Sequence, residues 1–242
     1  MSQEGIGLPR LMSGDTVAYR SVLRSEEGKV FLPGSRIIHG SGSRDVGNTG
    51  DTNILRSGIL MGMDSTSKKF EPAYVGFLTA AASSGDLKLN IGTTAAAEVL
   101  RRIGASGDVK VIGPSGTFEH TGMTYVSTAH YTSLSSNLMV LSADGALRDF
   151  VVGSMIADSN GSHEPKAILP DGTGIKVTSG DLTSIDVQFP QVLVGGVLDE
   201  SQLITHQGFS SEFGYGNTQI KNFLKAELRT YGIGFTFDGD FL

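Results

Sequence analysis

Residues 54–78, ILRSGILMGMDSTSKKFEPAYVGFL, place two apolar runs on either side of a polar centre, and this arrangement decides the predicted fold. The polar centre, residues 64–69, joins an aspartate, two serines and a threonine to two lysines, a composition typical of turns. Two apolar runs joined by such a segment are typical of a β-hairpin. We therefore predict a turn over residues 64–69 at the rim of a barrel, with Leu60 and Phe70 in the hydrophobic core.

The composition of the whole chain also favours β-structure. Of the 242 residues, 39% are hydrophobic, which is enough for a sizeable core. The 33 glycines require many turns, and with only 18% charged residues the chain has little charged helix surface. Short apolar runs separated by Gly, Pro or Asp-Gly continue as far as Glu200. The sequence therefore predicts a mainly β fold, formed as one large domain or two small ones.

Charge and residue types argue against several classes of protein. The formal net charge is −6, and the only basic doublets are residues 68–69 and 101–102, so nucleic acid is not an expected partner. The chain has no cysteine and therefore no disulfide. No segment reaches the roughly 18 apolar residues that cross a bilayer, and Glu4 stands where a signal peptide is basic. Neither a membrane partner nor export is expected.

The N-terminal segment before Asp15 carries apolar residues between glycines, and they are too few to fold alone. We assign residues 1–44 to an N-terminal arm followed by a hairpin, in which residues 26–29 form the turn between Leu23 and Val30. Two interpretations of the arm stay open: a disordered terminus, or a segment that becomes ordered by docking on a partner. In the second interpretation, the contact residues are Ile6, Leu8, Pro9, Leu11 and Met12.

A first amphipathic helix is predicted after residue 92. Thr93 or Thr94 is its predicted N-cap, and Gly104 or Gly107 is its predicted end. The apolar positions recur at the spacing of one helix face. They are Ala96, Val99, Leu100 and Ile103.

A second amphipathic helix is predicted close to the C-terminal end of the sequence. Asn217 or Thr218 is its predicted N-cap, and Gly232 stands at the expected terminating position. Its charged residues fall largely off the apolar face, so the helix is expected to pack onto a barrel or sheet. The apolar face consists of Ile220, Phe223, Leu224, Leu228 and Tyr231.

The chain lacks the residue patterns typical of a metal or catalytic site. Its five histidines stand at least ten residues apart, without the spacing of metal ligands. The serine loops GSGSRD, residues 40–45, and GPSGTF, residues 113–118, resemble the Gly-x-Ser-x-Gly elbow of hydrolases only loosely, and β-turns explain them better. The chain is therefore not expected to be an enzyme or to need a cofactor or metal. A hydrolase with dispersed carboxylates or a hidden serine site is the remaining enzymatic alternative.

The stretch quoted first resembles the strand-turn-strand signature of the phage lambda-type head decoration, or capsid cement, proteins. In that signature a strand with a leucine and two glycines leads through a polar turn, often with a lysine, to an aromatic-x-Pro return. The residues in matching places are Leu55, Gly58, Leu60, Gly62, Lys69, Phe70 and Pro72.

The C-terminal part resembles the closing pattern of the same family: a short strand, a Ser-x-Leu step, a loop, and an amphipathic helix that runs into Gly-Ile. The matching residues are Leu203, Ile220, Leu224, Lys225, Ala226, Leu228, Gly232 and Ile233. The resemblance covers roughly residues 45–237. The chain is much longer than the short decoration proteins, and residues 93–150 have no counterpart in them. Longer phage virion proteins of this group carry an extra α/β segment inserted into the small barrel.

The resemblance implies a small β-barrel or β-sandwich decoration domain over residues 45–242, with an inserted α/β segment over residues 93–150 and a C-terminal amphipathic helix. It also implies a structural virion protein, made in the host cytoplasm, that binds the major capsid protein on the outer surface of an expanded icosahedral head. Such proteins usually assemble as homotrimers, with the N-terminal segment ordered against capsid subunits. The alternative function is a virion module that binds the host surface or carbohydrate, as in a spike or tail domain.

Overall fold

The computed structural model describes most of the chain between Arg20 and Asp240. The described residues are 20–25, 28–32, 36–45, 47–48, 50–86, 88–104, 107–120, 124–126, 138–140, 148–177, 185–189, 191–204 and 217–240. The predicted contact residues of the arm lie outside these ranges. They are Ile6, Leu8, Pro9, Leu11 and Met12.

The fold is mainly β, as the composition predicts. The strands are β1 Val30–Phe31, β2 Arg36–Ile38, β3 Ile54–Leu55, β4 Leu60–Met63, β5 Phe70–Pro72, β6 Gly76–Phe77, β7 Lys88–Asn90, β8 Val109–Gly113, β9 Gly116–His120, β10 Thr124–Val126, β11 Leu138–Val140, β12 Met155–Asp158, β13 Ala167–Ile168, β14 Ile175–Lys176, β15 Val187–Phe189, β16 Leu193–Leu198 and β17 Gly234–Phe237. The α-helices are α1 Gly92–Arg102 and α2 Thr218–Tyr231. Short 3-10 helices span Glu200–Gln202 and Asp238–Asp240.

The largest sheet has the strand order β1-β16-β13-β4-β5-β2-β15 and curls into a half-barrel. Strand β16 organises it, because β16 pairs antiparallel with β1 and β13 and parallel with β17. Strands β4 and β5 form the antiparallel hairpin predicted from the first stretch. This hairpin therefore lies in the interior of the sheet, with β13 and β2 as its neighbours.

Both faces of the half-barrel are covered by hydrophobic core. Successive residues of a strand point to opposite faces. Accordingly, Leu60 lies in the cluster that holds the apolar face of α2, whereas Met61 lies with Phe70 in a second cluster. Leu60 is 1% exposed and Phe70 is 2% exposed, which confirms both core predictions.

The turn between β4 and β5 covers the predicted residues 64–69. The amide of Asp64 donates to the carbonyl of Lys69 at 3.0 Å, and the carboxylate of Asp64 accepts from the amides of Thr66 and Ser67. Burial acts to raise the pKa of Asp64, but the hydrogen bonds from Ser67 and Thr66 outweigh it and hold this pKa below its ordinary value. The polar segment is therefore an ordered turn organised by Asp64.

Helix α1 and the smaller sheets enclose a third hydrophobic cluster, to which α1 contributes Ala95, Ala96 and Val99. One smaller sheet has the order β6-β12-β8-β9, another has the order β10-β11-β7, and β14 pairs with β3. Residues 93–150 supply most of α1 and all of β8 to β11. Of these strands, β8 pairs with β12 and β11 pairs with β7, and both partners lie outside that range. The boundaries of the inserted segment and of the 45–242 domain stay predictions.

The ends of α2 match the sequence prediction. The side-chain oxygen of Asn217 accepts from the amides of Gln219 and Ile220, so Asn217 is the N-cap, and Gly232 follows the last turn. The predicted apolar face is buried at Ile220, Leu224 and Leu228.

The start of α1 differs from the prediction. The helix begins at Gly92, and Ile91 occupies the N-cap position without a side-chain hydrogen bond, so Thr93 or Thr94 as N-cap was wrong. Gly92 has a φ of 73°, which lets the chain turn into the helix before the threonines are reached. Leu100 is 45% exposed and lies off the buried face. The predicted end is confirmed at Gly104, which has a φ of 89° and follows the C-cap residue.

The predicted hairpin around residues 26–29 also differs. Leu23 bridges Leu198, while Val30 pairs with Gly195. Both halves thus run antiparallel along the same strand, β16, instead of pairing with each other. The cause is a long-range interaction. An isolated two-stranded hairpin is at best marginally stable, whereas pairing with the apolar strand β16 places both segments at the edge of the large sheet.

Candidate functional site

The two sequence stretches that carry the resemblance lie side by side. The amide of Leu60 donates to the carbonyl of Ile204 at 3.2 Å, and the amide of Ile204 donates to the carbonyl of Gly58 at 2.8 Å. The side chains of Leu60 and Leu203 belong to the cluster that also contains the buried face of α2. The hairpin and the closing segment, far apart in sequence, therefore form one structural unit.

The two glycines of the hairpin motif are required by close backbone approach. Gly58 has a φ of 92°, and a Cβ atom there would lie 2.3 Å from the carbonyl oxygen of Gln202. A Cβ atom at Gly62 would lie 1.6 Å from the carbonyl oxygen of Ser162. Any side chain at either position would push apart the backbone segments that meet here.

A groove of about 460 Å³ lies next to this unit. It is bounded by the start of β2, the β4–β5 hairpin, β16 and the C-terminal end of α2. Ile233 forms its lip: the side chain is 66% exposed, and its amide donates to the carbonyl of Val194 at 2.9 Å. The lining residues are Leu32, Arg36, Met63, Lys68, Phe70, Lys166, Val194, Tyr231 and Ile233.

The groove combines an apolar floor with cationic side chains. Lys166 pairs with Glu164 at 2.6 Å, whereas Lys68 is exposed and makes no ion pair within the described residues. Burial, followed by the nearby Glu227 and Glu164, raises the pKa of Tyr231, so its phenol stays neutral. A partner that inserts an apolar side chain and brings a carboxylate close to Lys68 suits this chemistry.

A buried polar network lies behind the hairpin and centres on Glu71 of β5. Glu71 Oε1 accepts from Arg102 Nη2 at 2.5 Å and from Asn160 Nδ2 at 2.7 Å. The other oxygen, Oε2, lies 3.1 Å from His39 Nδ1. Arg102 also donates to Ser162 Oγ at 2.6 Å. The network ties the last turn of α1 to the half-barrel.

A cleft of about 360 Å³ opens beside this network. Arg102 Nε lies 3.7 Å from Asp158 Oδ2 at its wall. Burial raises the pKa of Asp158, and the opposing charge of Arg102 only partly offsets this effect. The cleft residues are Arg102, Ile103, Asp108, Asp158, Ser159 and Asn160.

Sequence reasoning did not identify the groove or the Glu71 network. The predicted site residues were those of the arm, which lie outside the described part of the chain. Two residues of the groove, Lys68 and Phe70, belong to the stretch that predicted the hairpin, but their position beside α2 depends on the tertiary fold. The available signal for the network was Glu71 itself, a charged residue between apolar neighbours in a strand.

Within the described ranges, no three His, Cys, Asp or Glu residues form a group that could hold a metal ion. None of the helices in these ranges is long and apolar enough to cross a membrane. Comparison with protein-family models, with curated proteins and with solved structures finds no match to this chain.

Proposed function

We propose that this chain is a structural virion protein that binds the outer surface of an icosahedral phage head and stabilises the capsid. The observation that carries this proposal is the backbone pairing of Gly58 and Leu60 with Ile204. It joins the two stretches that resemble decoration proteins into one unit. If the two sequence resemblances were coincidental, there would be no reason for the two stretches to lie next to each other in the fold.

The proposed action is mechanical, and the proposed partner is the major capsid protein. Packaged DNA presses outward on a head, and the shell fails where subunits meet. A protein that bridges neighbouring subunits adds buried interface at these junctions, and many copies act together through avidity. The arm residues Ile6, Leu8, Pro9, Leu11 and Met12 and the groove beside Ile233 are the proposed contacts. A homotrimer would present each of them three times.

The test is to mix the purified protein with expanded heads that lack it, and to measure co-sedimentation and survival of the heads on heating. Three variants accompany the intact chain: a deletion of residues 1–14, Ile233→Ser in the groove, and Ile185→Ser as the matched control. Ile185 is also an exposed isoleucine, at 43%, but it does not line the groove. Light scattering of the free protein gives the number of subunits.

The proposal predicts saturable binding that raises head survival, with weaker binding after the deletion or Ile233→Ser and unchanged binding of Ile185→Ser. Absence of binding by the intact protein would overturn it. Binding of the same protein to host cells or to glycans, without binding to heads, would favour the alternative, a host-surface or carbohydrate-binding module.

A further inference from the structure

We propose that Ser41, His39 and Glu71 form a serine nucleophile site that takes an acyl group from a carboxylic ester. Ser41 Oγ lies 2.7 Å from His39 Nε2, and His39 Nδ1 lies 3.1 Å from Glu71 Oε2. A hydroxyl on one ring nitrogen and a carboxylate on the other is the arrangement that defines serine-histidine-acid triads, which are recognised by geometry whatever the sequence order. The inference is independent of capsid binding.

The contacts determine where the ring proton resides. A carboxylate has no proton to donate, so the contact with Glu71 places the hydrogen of the neutral ring on His39 Nδ1. Nε2 then carries a lone pair that faces the hydroxyl of Ser41. This is the tautomer in which a histidine removes a proton from a serine.

The acid and the imidazole are held by their surroundings. The side chain of Glu71 is 2% exposed and is fixed by Arg102 and Asn160, as described above. The backbone at Gly42 passes so close that a Cβ atom there would lie 2.1 Å from Glu71 Oε2 and 2.7 Å from His39 Nδ1. The loop therefore covers the contact between acid and imidazole, and glycine is the residue that permits it.

The serine itself is accessible on an anchored loop. Ser41 is exposed, and the amide of Gly40 before it donates to Asp186 Oδ1 at 3.1 Å. Arg101 donates to the carbonyl of Ser41. The amide of Gly42, the residue after the nucleophile, donates no hydrogen bond within the described residues. That position supplies an oxyanion donor in many serine hydrolases.

Two arginines hold the backbone of the loop that carries Ser41. Arg44 donates to the carbonyls of Gly40 and Ser43 at 2.9 and 2.6 Å, and Arg101 contacts the same loop. Arg101 also forms an ion pair with Glu98. The two arginines therefore hold the backbone on either side of Ser41 in place.

In the first step, Ser41 Oγ attacks the ester carbonyl carbon while its proton moves to His39 Nε2. The C–O bond to the alcohol then breaks, and the departing oxygen takes that proton, which leaves an acyl-serine. In the second step, His39 removes a proton from water, the hydroxide oxygen bonds to the acyl carbon, and Ser41 leaves with the proton. The products are one carboxylic acid and one alcohol.

The test treats the full chain with a biotinylated fluorophosphonate and identifies the labelled residue by mass spectrometry. Hydrolysis of 4-nitrophenyl acetate and of mono-4-nitrophenyl succinate is followed in parallel. The variants are Ser41→Ala, His39→Ala and Glu71→Gln, with Ser84→Ala as the matched control because Ser84 is an exposed serine in another turn. Circular dichroism checks that each variant is folded.

We expect the label on Ser41, its loss in Ser41→Ala, a fall in rate of about 100-fold in His39→Ala, and no change in Ser84→Ala. Both esters should be hydrolysed, and both activities should be lost in Ser41→Ala. Glu71→Gln removes a buried charge. If this variant fails to fold, the rate of His39→Ala alone tests whether the triad acts. No label on the intact protein, or equal reactivity of Ser41→Ala, would overturn the proposal.

Discussion

Arg102 and Glu71 form a buried ion pair in which Nη2 and Oε1 are 2.5 Å apart and each side chain is 2% exposed. The pair joins the end of α1 to the middle of the half-barrel. Each charge is removed from water and depends on its partner, which makes the pair sensitive to the loss of one side.

Arg102→Ala is therefore expected to lower the free energy of unfolding by about 3–5 kcal/mol, because Glu71 would remain buried without its cation. Lys69→Ala is the control, since Lys69 and Asp186 pair at 2.6 Å but are 29% and 42% exposed. The Lys69→Ala substitution should lower the free energy of unfolding by no more than about 1 kcal/mol. Denaturant unfolding measures both, and equal costs would contradict the role given to burial.

Gly62→Ala should destabilise the protein by about 3 kcal/mol, because the new Cβ atom would meet the carbonyl oxygen of Ser162. Gly234→Ala provides the comparison: no atom lies within 4 Å of a Cβ atom there, and Gly234 is not among the residues with positive φ. The Gly234→Ala variant should have the same melting temperature as the natural protein. A tolerated Gly62→Ala would show that the β4–β5 hairpin is not held against residue 162.

Asn217→Ala should lower the free energy of unfolding by about 1 kcal/mol, because two backbone amides at the start of α2 lose their hydrogen-bond acceptor. Asn222→Ala, in the exposed part of the same helix, should leave stability unchanged or slightly raised, because alanine favours helix. The difference in urea midpoint between these two variants isolates the cap. No difference would mean that α2 is fixed by packing alone.

Glu200 makes stability depend on pH. Burial acts to raise its pKa, but the hydrogen bonds and charges of Lys221 and Lys225 outweigh burial and hold this pKa below 4.5. Its contribution to the free energy of unfolding is therefore complete above pH 4.5 and is lost as the pH falls through the lower pKa of the folded protein.

Glu200→Gln should therefore be less stable than the natural protein at neutral pH, and the two should converge in acid. Lys225→Met, which removes the lysine that is 11% exposed, should reproduce more of this effect than Lys221→Met, which removes the lysine that is 40% exposed. Unfolding curves recorded across the acidic range give the comparison. Parallel stability profiles would exclude Glu200 as the source of the pH dependence.

Features determined by local sequence were predictable. The turn over residues 64–69, the Asn217 cap and the end of α2 at Gly232 each depend on residues a few positions apart, where side chain and backbone have few alternatives. The burial of Leu60 and Phe70 followed from their places on either side of a turn. At α1 the local rule failed, because Gly92 turns the chain into the helix before a threonine side chain can act as cap.

Long-range relationships were not predictable from pattern alone. The sequence pattern places Leu23 and Val30 in the two strands of one hairpin, but both residues pair with β16. The Glu71–Arg102 pair joins a strand to a helix end, and neither residue carries a local signal for the other. The contact of His39 with Glu71 likewise requires β2 and β5 to lie in parallel, a pairing that hydrophobic periodicity does not specify.

The position of β16 has a consequence for how the molecule is made. Its partners β1 and β17 come from opposite ends of the described chain, so a ribosome has to deliver Gly195 before Val30 can pair and Phe237 before the sheet is complete. Nascent β1 has no partner strand until β16 has been made, and closing so long a loop slows folding. The half-barrel therefore cannot be completed before β17 has been made, and the chain at that earlier stage is the one in which aggregation competes with folding.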